Sequence, residues 1–215
     1  MKKNLLFGIV TYLCLALPAQ AQLQKNTKYW GGTVNFGGSH NTFEDSDGSN
    51  QFSINPAIQA GKFVKDNQLV GIGLGTSLNF QWNGNSYGPS TSKRGSHQNA
   101  YTLSPFVRHY KSLNAKWAIF LNSSLSLSYL GYYNSNSEPK RESGYSAGIR
   151  IVPGITYWLS SRFALESDVN LLSLGAEYTD FRDAKVVNFN SAVTTGITSY
   201  FSIRASWYLQ KSLTN

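Results

Sequence analysis

Five charged residues could do chemistry together: Arg108, Arg150, Glu166, Asp168 and Arg204. Glu166 and Asp168 are spaced by two, so in an extended strand they share a face. Guanidinium and carboxylate groups gathered in a confined interior must pair or be hydrated. The set could therefore form a packed ionic plug, or line a narrow polar pathway for small solutes. Nucleophilic catalysis finds less to work with. The histidines are His40, His97 and His109, and serines such as Ser39, Ser90, Ser92 and Ser96 are too common for their proximity to mean anything. Residues 84–88 and 144–148 fit G-x-S-x-G, but that motif needs a strand-to-helix turn that an all-strand chain does not supply. Neither a phosphate-cradling glycine loop nor zinc spacing is present. Glu44, Asp45 and Asp47-Gly48 resemble the start of a calcium loop but lack its remainder, so they read as a solvated acidic loop. Lys93, Arg94 and His97 make a basic segment that could touch lipid phosphates or pair with the acidic one. No catalytic residue, cofactor or metal ligand is expected.

The elements that must carry the five charged residues are strands. Alternation with period two runs through the chain and is longest at its end. There Phe189, Val193, Ile197, Phe201, Ile203 and Trp207 fall on one face, while Asn190, Thr194, Thr198, Ser202, Arg204 and Ser206 fall on the other. Seven earlier segments behave alike: 29–38, 51–63, 68–82, 99–110, 116–133, 144–158 and 162–178. Alternation breaks at Leu171-Leu172, where a bulge is expected. Such segments exceed the usual length of soluble strands, about 5–6 residues, and suit tilted membrane crossings of about 9–11. The parity puts Arg108, Arg150, Glu166, Asp168 and Arg204 inside, with Tyr110, Asn55, Gln59, Asn79, Gln81 and Asn122. Gly71, Gly73 and Gly75 could leave room for water, or for Tyr200 and Phe120 to lie across them.

Composition and the N-terminus point the same way. Charged residues are 14% and aromatics 14%, against a usual charged share of about 25%. Lys2 and Lys3, an apolar run from Leu5 to Leu17 and Ala19-Gln20-Ala21 form a secretory signal peptide over 1–21, leaving a single domain over 22–215. The run is too short to span a membrane as a helix. Cys14 lies within it, without the small preceding residue of a lipoprotein site. The remainder has no cysteine, which excludes disulfides, thiolate metal sites and a thiol nucleophile. Without Lys2 and Lys3, 17 basic residues oppose 11 acidic ones, a net charge of about +6. The charges are scattered and the chain is exported. They suit anionic lipid headgroups or surface sugars, and no nucleic-acid partner is expected.

Connections alternate in length. Those at 64–67, 111–115 and 159–161 are short, while those at 39–50, 83–98, 134–143 and 179–188 are long and polar. In outer-membrane barrels the short turns face the periplasm. An even strand count then puts both termini there. Aromatics collect near the segment ends: Trp30, Tyr110, Trp117, Trp158 and Trp207 at one, Trp82, Tyr129 and Tyr145 at the other, as two interfacial girdles. Pro56, Pro105 and Pro153 recur at intervals of one hairpin. Proline removes a ladder donor, so a bend or bulge is expected near each.

The segments Phe52-Ser53-Ile54-Asn55-Pro56, Asp66-Asn67-Gln68-Leu69-Val70-Gly71-Ile72-Gly73-Leu74-Gly75, Ser104-Pro105-Phe106-Val107-Arg108-His109-Tyr110 and Pro153-Gly154-Ile155-Thr156-Tyr157-Trp158 carry a resemblance. The chain resembles the outer-membrane protein β-barrel domain family of Gram-negative bacteria, similar in plan to OmpA- and OmpX-type barrels and more distantly to OmpW. The resemblance implies an all-β, eight-stranded antiparallel up-and-down transmembrane barrel. Its implied partners are outer-membrane lipid and the barrel assembly machinery. It implies no single activity. Trp207-Tyr208-Leu209 is followed by six further residues, so the terminal aromatic signal of such barrels is slightly internal here. Two functions fit: a surface-interaction barrel with a plugged lumen, or a narrow porin-like channel. A soluble periplasmic lipocalin-like barrel is a third reading and requires the inverse parity, apolar within and polar without.

Overall fold

A strand with one apolar face and polar backbone edges is unstable alone; pairing every edge requires the sheet to close on itself. The computed structural model, which describes residues 23–43, 46–83, 95–134, 140–169, 173–182, 184–192 and 201–209, is such a closed sheet. Its strands are β1 (Lys28–Phe43), β2 (Ser46–Lys65), β3 (Gln68–Asn83), β4 (Gly95–Ser112), β5 (Trp117–Asn134), β6 (Lys140–Trp158), β7 (Phe163–Val169), β8 (Ser173–Phe181), β9 (Ala184–Ala192) and β10 (Phe201–Leu209). From β1 to β6 each strand pairs antiparallel with the next. β6 then pairs with β7 along one half and β8 along the other. β8 pairs with β9, β7 with β10, and β10 returns to β1 over Lys28↔Leu209 to Gly32↔Ala205. β7 with β8, and β9 with β10, thus occupy single places. The barrel is antiparallel, up-and-down and eight strands around.

The strands are steeply tilted. Successive register partners lead from Leu165 through Ala205, Gly32, Ile58, Leu74, Leu103, Leu127 and Ala147 to Tyr178. One circuit therefore climbs thirteen residues along the seventh place, from 165 to 178. Every side chain on this path faces outward, as the alternation requires.

The two ends differ. At one, the turn end, the connections are tight. Asn67 takes a positive φ of 63° between β2 and β3. The Asn114 side chain accepts the Lys116 and Trp117 amides at 2.8 and 2.9 Å. Ser160 Oγ accepts those of Arg162 and Phe163. Residues 23–27 close over this end: the Asn67 amide donates to Leu23 O at 2.7 Å, and the Leu23 side chain is buried. At the other, the hairpin end, the strands run beyond the expected limits. Phe43 pairs with Ser46 and Phe181 with Ala184, so most of the long loops expected at 39–50 and 179–188 are strand ladders. Polar residues on both faces do not disfavour pairing where both faces meet water, which is why alternation understated these strands.

Two local expectations change. Pro56 and Pro105 interrupt their ladders for two residues, but the register is the same on either side, with no bulge. All three prolines face outward, and β6 passes from β7 to β8 beside Pro153. The expected bulge at Leu171-Leu172 lies outside the described residues. Around it, Asp168 and Ser173 both face inward although five apart, so the inward parity switches between β7 and β8. The expected signal peptide at 1–21, Glu44, Asp45, Lys93, Arg94 and Tyr200 also lie outside the described residues, as does the Asp47 side chain.

Candidate functional site

The buried side chains gather in the turn-end half of the lumen. β7 delivers Glu166 to the centre, and neighbours on β1, β4 and β10 converge on it. Glu166 Oε2 accepts Arg108 Nη1 and the Tyr29 hydroxyl at 2.7 Å each, the Ser206 hydroxyl at 3.0 Å and Arg204 Nη1 at 3.1 Å. Its Oε1 accepts the Tyr110 hydroxyl at 2.8 Å and that of Tyr208 at 2.5 Å. Arg204 Nη2 reaches Asp168 at 2.6 Å. Two guanidinium groups and two carboxylates make the cluster neutral overall, which a low-dielectric interior favours.

Arg108 is held as completely. Its Nε donates to Asn122 and its Nη2 to Gln59, while Nη1 also reaches the Tyr29 and Tyr110 hydroxyls. Its guanidinium lies 4.6 Å from the Phe120 ring centroid and 5.2 Å from that of Phe106. Charge-assisted hydrogen bonds and ring faces together replace its lost water. Below, Phe63, Tyr110, Trp158 and Tyr208 interlock at centroid distances of 5.4–6.1 Å. They form a continuous aromatic floor with buried Leu23 and Leu69.

Glycine makes the rings fit. A Cβ on Gly154 would strike the Phe120 ring, and one on Gly71 would strike that of Phe106. Phe106 and Phe120 therefore lie across Gly71 and Gly154, a different pairing from the one expected. Gly71→Ala is predicted to destabilise the folded barrel by about 1–3 kcal/mol, read as a lower urea midpoint in refolding. An unchanged midpoint would contradict the packing.

Four of the five expected lumen charges meet here. Arg150 does not. It faces the lumen four residues from Gly154 along β6, about 13 Å nearer the hairpin end, and lines a cavity of about 250 Å³ with Ser126, Ser173 and Glu177. Of the expected girdle, Trp30, Trp117 and Trp207 face outward at the turn end, and Trp82, Tyr129 and Tyr145 outward at the hairpin end. Tyr110 and Trp158 do not belong to it. They share parity with Arg108 and Thr156 and are buried in the floor. Tyr29 and Tyr208, which with Ser206 complete the Glu166 shell, read from the sequence as girdle aromatics, but they are buried in the lumen. The signal was available, because outward Trp30 and Trp207 turn their neighbours inward.

The histidines sit apart from this cluster. His40 Nδ1 lies 2.6 Å from Asn50 Oδ1, His97 packs between Phe80 and Tyr133, and His109 faces outward beside Gln68 and Leu121. Towards the hairpin end the described lumen residues are polar, with Thr102 and Ser128 hydrogen-bonded at 2.8 Å. At its rim Glu142 is bound by Lys140 at 2.7 Å and by Arg182. The Lys140 hydrogen bond outweighs desolvation and, with the Arg182 charge, holds that carboxyl below its ordinary pKa. Among the described residues, ions and rings close the turn end of the lumen, and hydrophilic side chains line it toward the hairpin end.

No family model matches the chain, and no curated protein matches it. Among solved structures it is similar to the crystal structure of Neisserial surface protein A (NspA), at 14% identity over 85% of this chain and 96% of that one, with a TM-score of 0.42.

Proposed function

We propose that the chain is an integral outer-membrane barrel with a structural or surface-interaction role, its lumen plugged by the Glu166 cluster and the aromatic floor. The observation that carries the membrane reading is the outer wall. Trp117 and Tyr129 stand twelve residues apart on β5, as do Tyr157 and Tyr145 on β6. Twelve residues at about 3.3 Å, tilted by about 45°, rise about 28 Å, close to the apolar band of such barrels. Ile119, Leu121, Leu125 and Leu127 on β5, and Ile149, Ile151 and Ile155 on β6, face outward between them. Among the described residues no Asp, Glu, Lys or Arg faces outward between the aromatic limits of these strands. A lipocalin-like barrel needs the opposite parity.

In this reading the turn end and both termini are periplasmic, the first 21 residues direct export, and the hairpins face outside. The assembly machinery and lipid are the partners. The chain has no catalytic role. The channel reading draws on the polar half of the lumen, but a conducting path must also cross the cluster.

Membrane extraction tests the address: the folded protein should leave the membrane only with detergent, and release by urea or alkaline carbonate alone would sink it. Leu125→Arg, outward at mid-wall, should cost about 2–4 kcal/mol on folding into vesicles. Inward Ser126→Lys should cost much less, and equal costs would contradict the inside-outside assignment.

A further inference from the structure

We propose that the outer wall of β4–β6 at the hairpin end docks a phosphorylated lipid of the outer leaflet, with its phosphate at Arg141 and His97 and an acyl chain in the groove below; this rests on the membrane reading above. Four successive sets of outward register partners descend the wall. His97, Tyr133 and Arg141 come first, then Asn99, Gly131 and Ser143, then Tyr101, Tyr129 and Tyr145, then Leu103, Leu127 and Ala147. Cationic or titratable, small polar, amphipathic aromatic, aliphatic: this is the order of phosphate, hydroxylated backbone, ester region and hydrocarbon in a lipid.

The shape agrees with the chemistry. A hollow of about 500 Å³ opens at the upper two sets. Gly131 supplies its depth, since a Cβ there would strike the Asn99 carboxamide. Below it, and sharing Tyr129, an almost wholly apolar groove of about 530 Å³ runs among Leu74, Leu103, Leu127, Tyr101 and Tyr145. A soluble anion would have no use for that groove.

The charge agrees too. The Arg141 guanidinium lies 5.5 Å from the Tyr133 ring centroid and, among the described residues, has no carboxylate partner. Glu142 borders the hollow, but its carboxylate is bound by Lys140 and Arg182 rather than by Arg141. Arginine is suited to bidentate phosphate contact.

Native mass spectrometry of the detergent-solubilised full chain tests this, with lipid A and its fully dephosphorylated form as probes. The wild type should retain lipid A about tenfold better than the dephosphorylated lipid. Arg141→Gln with His97→Gln should abolish that preference, and Gly131→Val should weaken retention of both lipids. Inorganic phosphate in excess should displace neither. Equal retention of the two lipids by the wild type, an unchanged preference in the double variant, or full displacement by inorganic phosphate would each overturn the proposal. Heat-modifiable gel mobility reports that each variant is folded. A folded barrel that requires detergent but shows no lipid preference defeats this proposal alone; one that stays soluble without detergent defeats the membrane reading.

Discussion

Glu166→Ala is expected to lower the stability of the folded barrel by about 3–5 kcal/mol, the cost of breaking a buried ion pair from one side. The carboxylate accepts hydrogen bonds from Tyr29, Arg108, Tyr110, Arg204, Ser206 and Tyr208. Its removal leaves two guanidinium groups facing one another with only Asp168 between them in charge. It also strips three buried tyrosine hydroxyls of their acceptor. Glu166→Gln separates the two losses, since an amide oxygen can still accept but carries no charge. It should fall between wild type and Glu166→Ala. A double-mutant cycle adds Arg108→Met, Glu166→Leu and the two combined. If the pair is a packed plug, the double variant should be far less damaged than the sum of the singles, because an apolar replacement of both partners removes the stranded charge. Urea titration of the refolded protein in detergent micelles measures the wild type and each variant. Additive losses would mean that Arg108 and Glu166 stabilise the barrel independently.

The second large effect is steric and reaches the same cluster by another route. Gly154→Val is expected to cost about 1–3 kcal/mol or more, because the side chain would occupy the space of the Phe120 ring. That ring cannot retreat freely: Arg108 lies against one side of it and Tyr110 packs 5.6 Å away. Displacing it disturbs the guanidinium that holds Glu166. Gly73→Val is the control, since its added Cβ would meet its neighbours at 3.4 Å or beyond. It should cost markedly less. Phe120→Leu in the Gly154→Val background should recover part of the loss, and failure to recover any would show that backbone strain, not the ring, sets the cost.

Much of this architecture can be read in the sequence because a barrel wall is a two-sided object and parity is visible residue by residue. Outward Trp207 against inward Arg204, or outward Leu165 against inward Glu166, needs no coordinates. Parity says which face a residue takes but not how high it stands. Height depends on register between strands far apart in sequence, and that register accumulates around the tilted circuit. Arg150 shows the difference: it has the right face and the wrong height, standing above Gly154 and Thr156, which are the β6 residues that meet the cluster level. Trp158 shows the converse error, and so does the girdle assignment of Tyr110, although its inward parity is also legible. Both lie at strand ends, where aromatics suit an interface, but their parity places them within, and at the turn end the lumen is lined with rings. The strand ladders at the hairpin end were hidden for another reason. Where both faces of a strand meet water, Ser, Asn and His on either side carry no alternation to detect.

The central claim is that a membrane-spanning barrel is closed across its turn-end lumen by the Glu166 cluster and the aromatic floor. Single-channel recording of the folded protein in planar bilayers tests it most directly. With insertion verified independently by protease protection, the account predicts a silent membrane under applied voltage. It also predicts that Glu166→Ala combined with Tyr110→Ala, provided the variant remains folded, produces discrete steps. Regular conductance steps from the wild-type protein would contradict it.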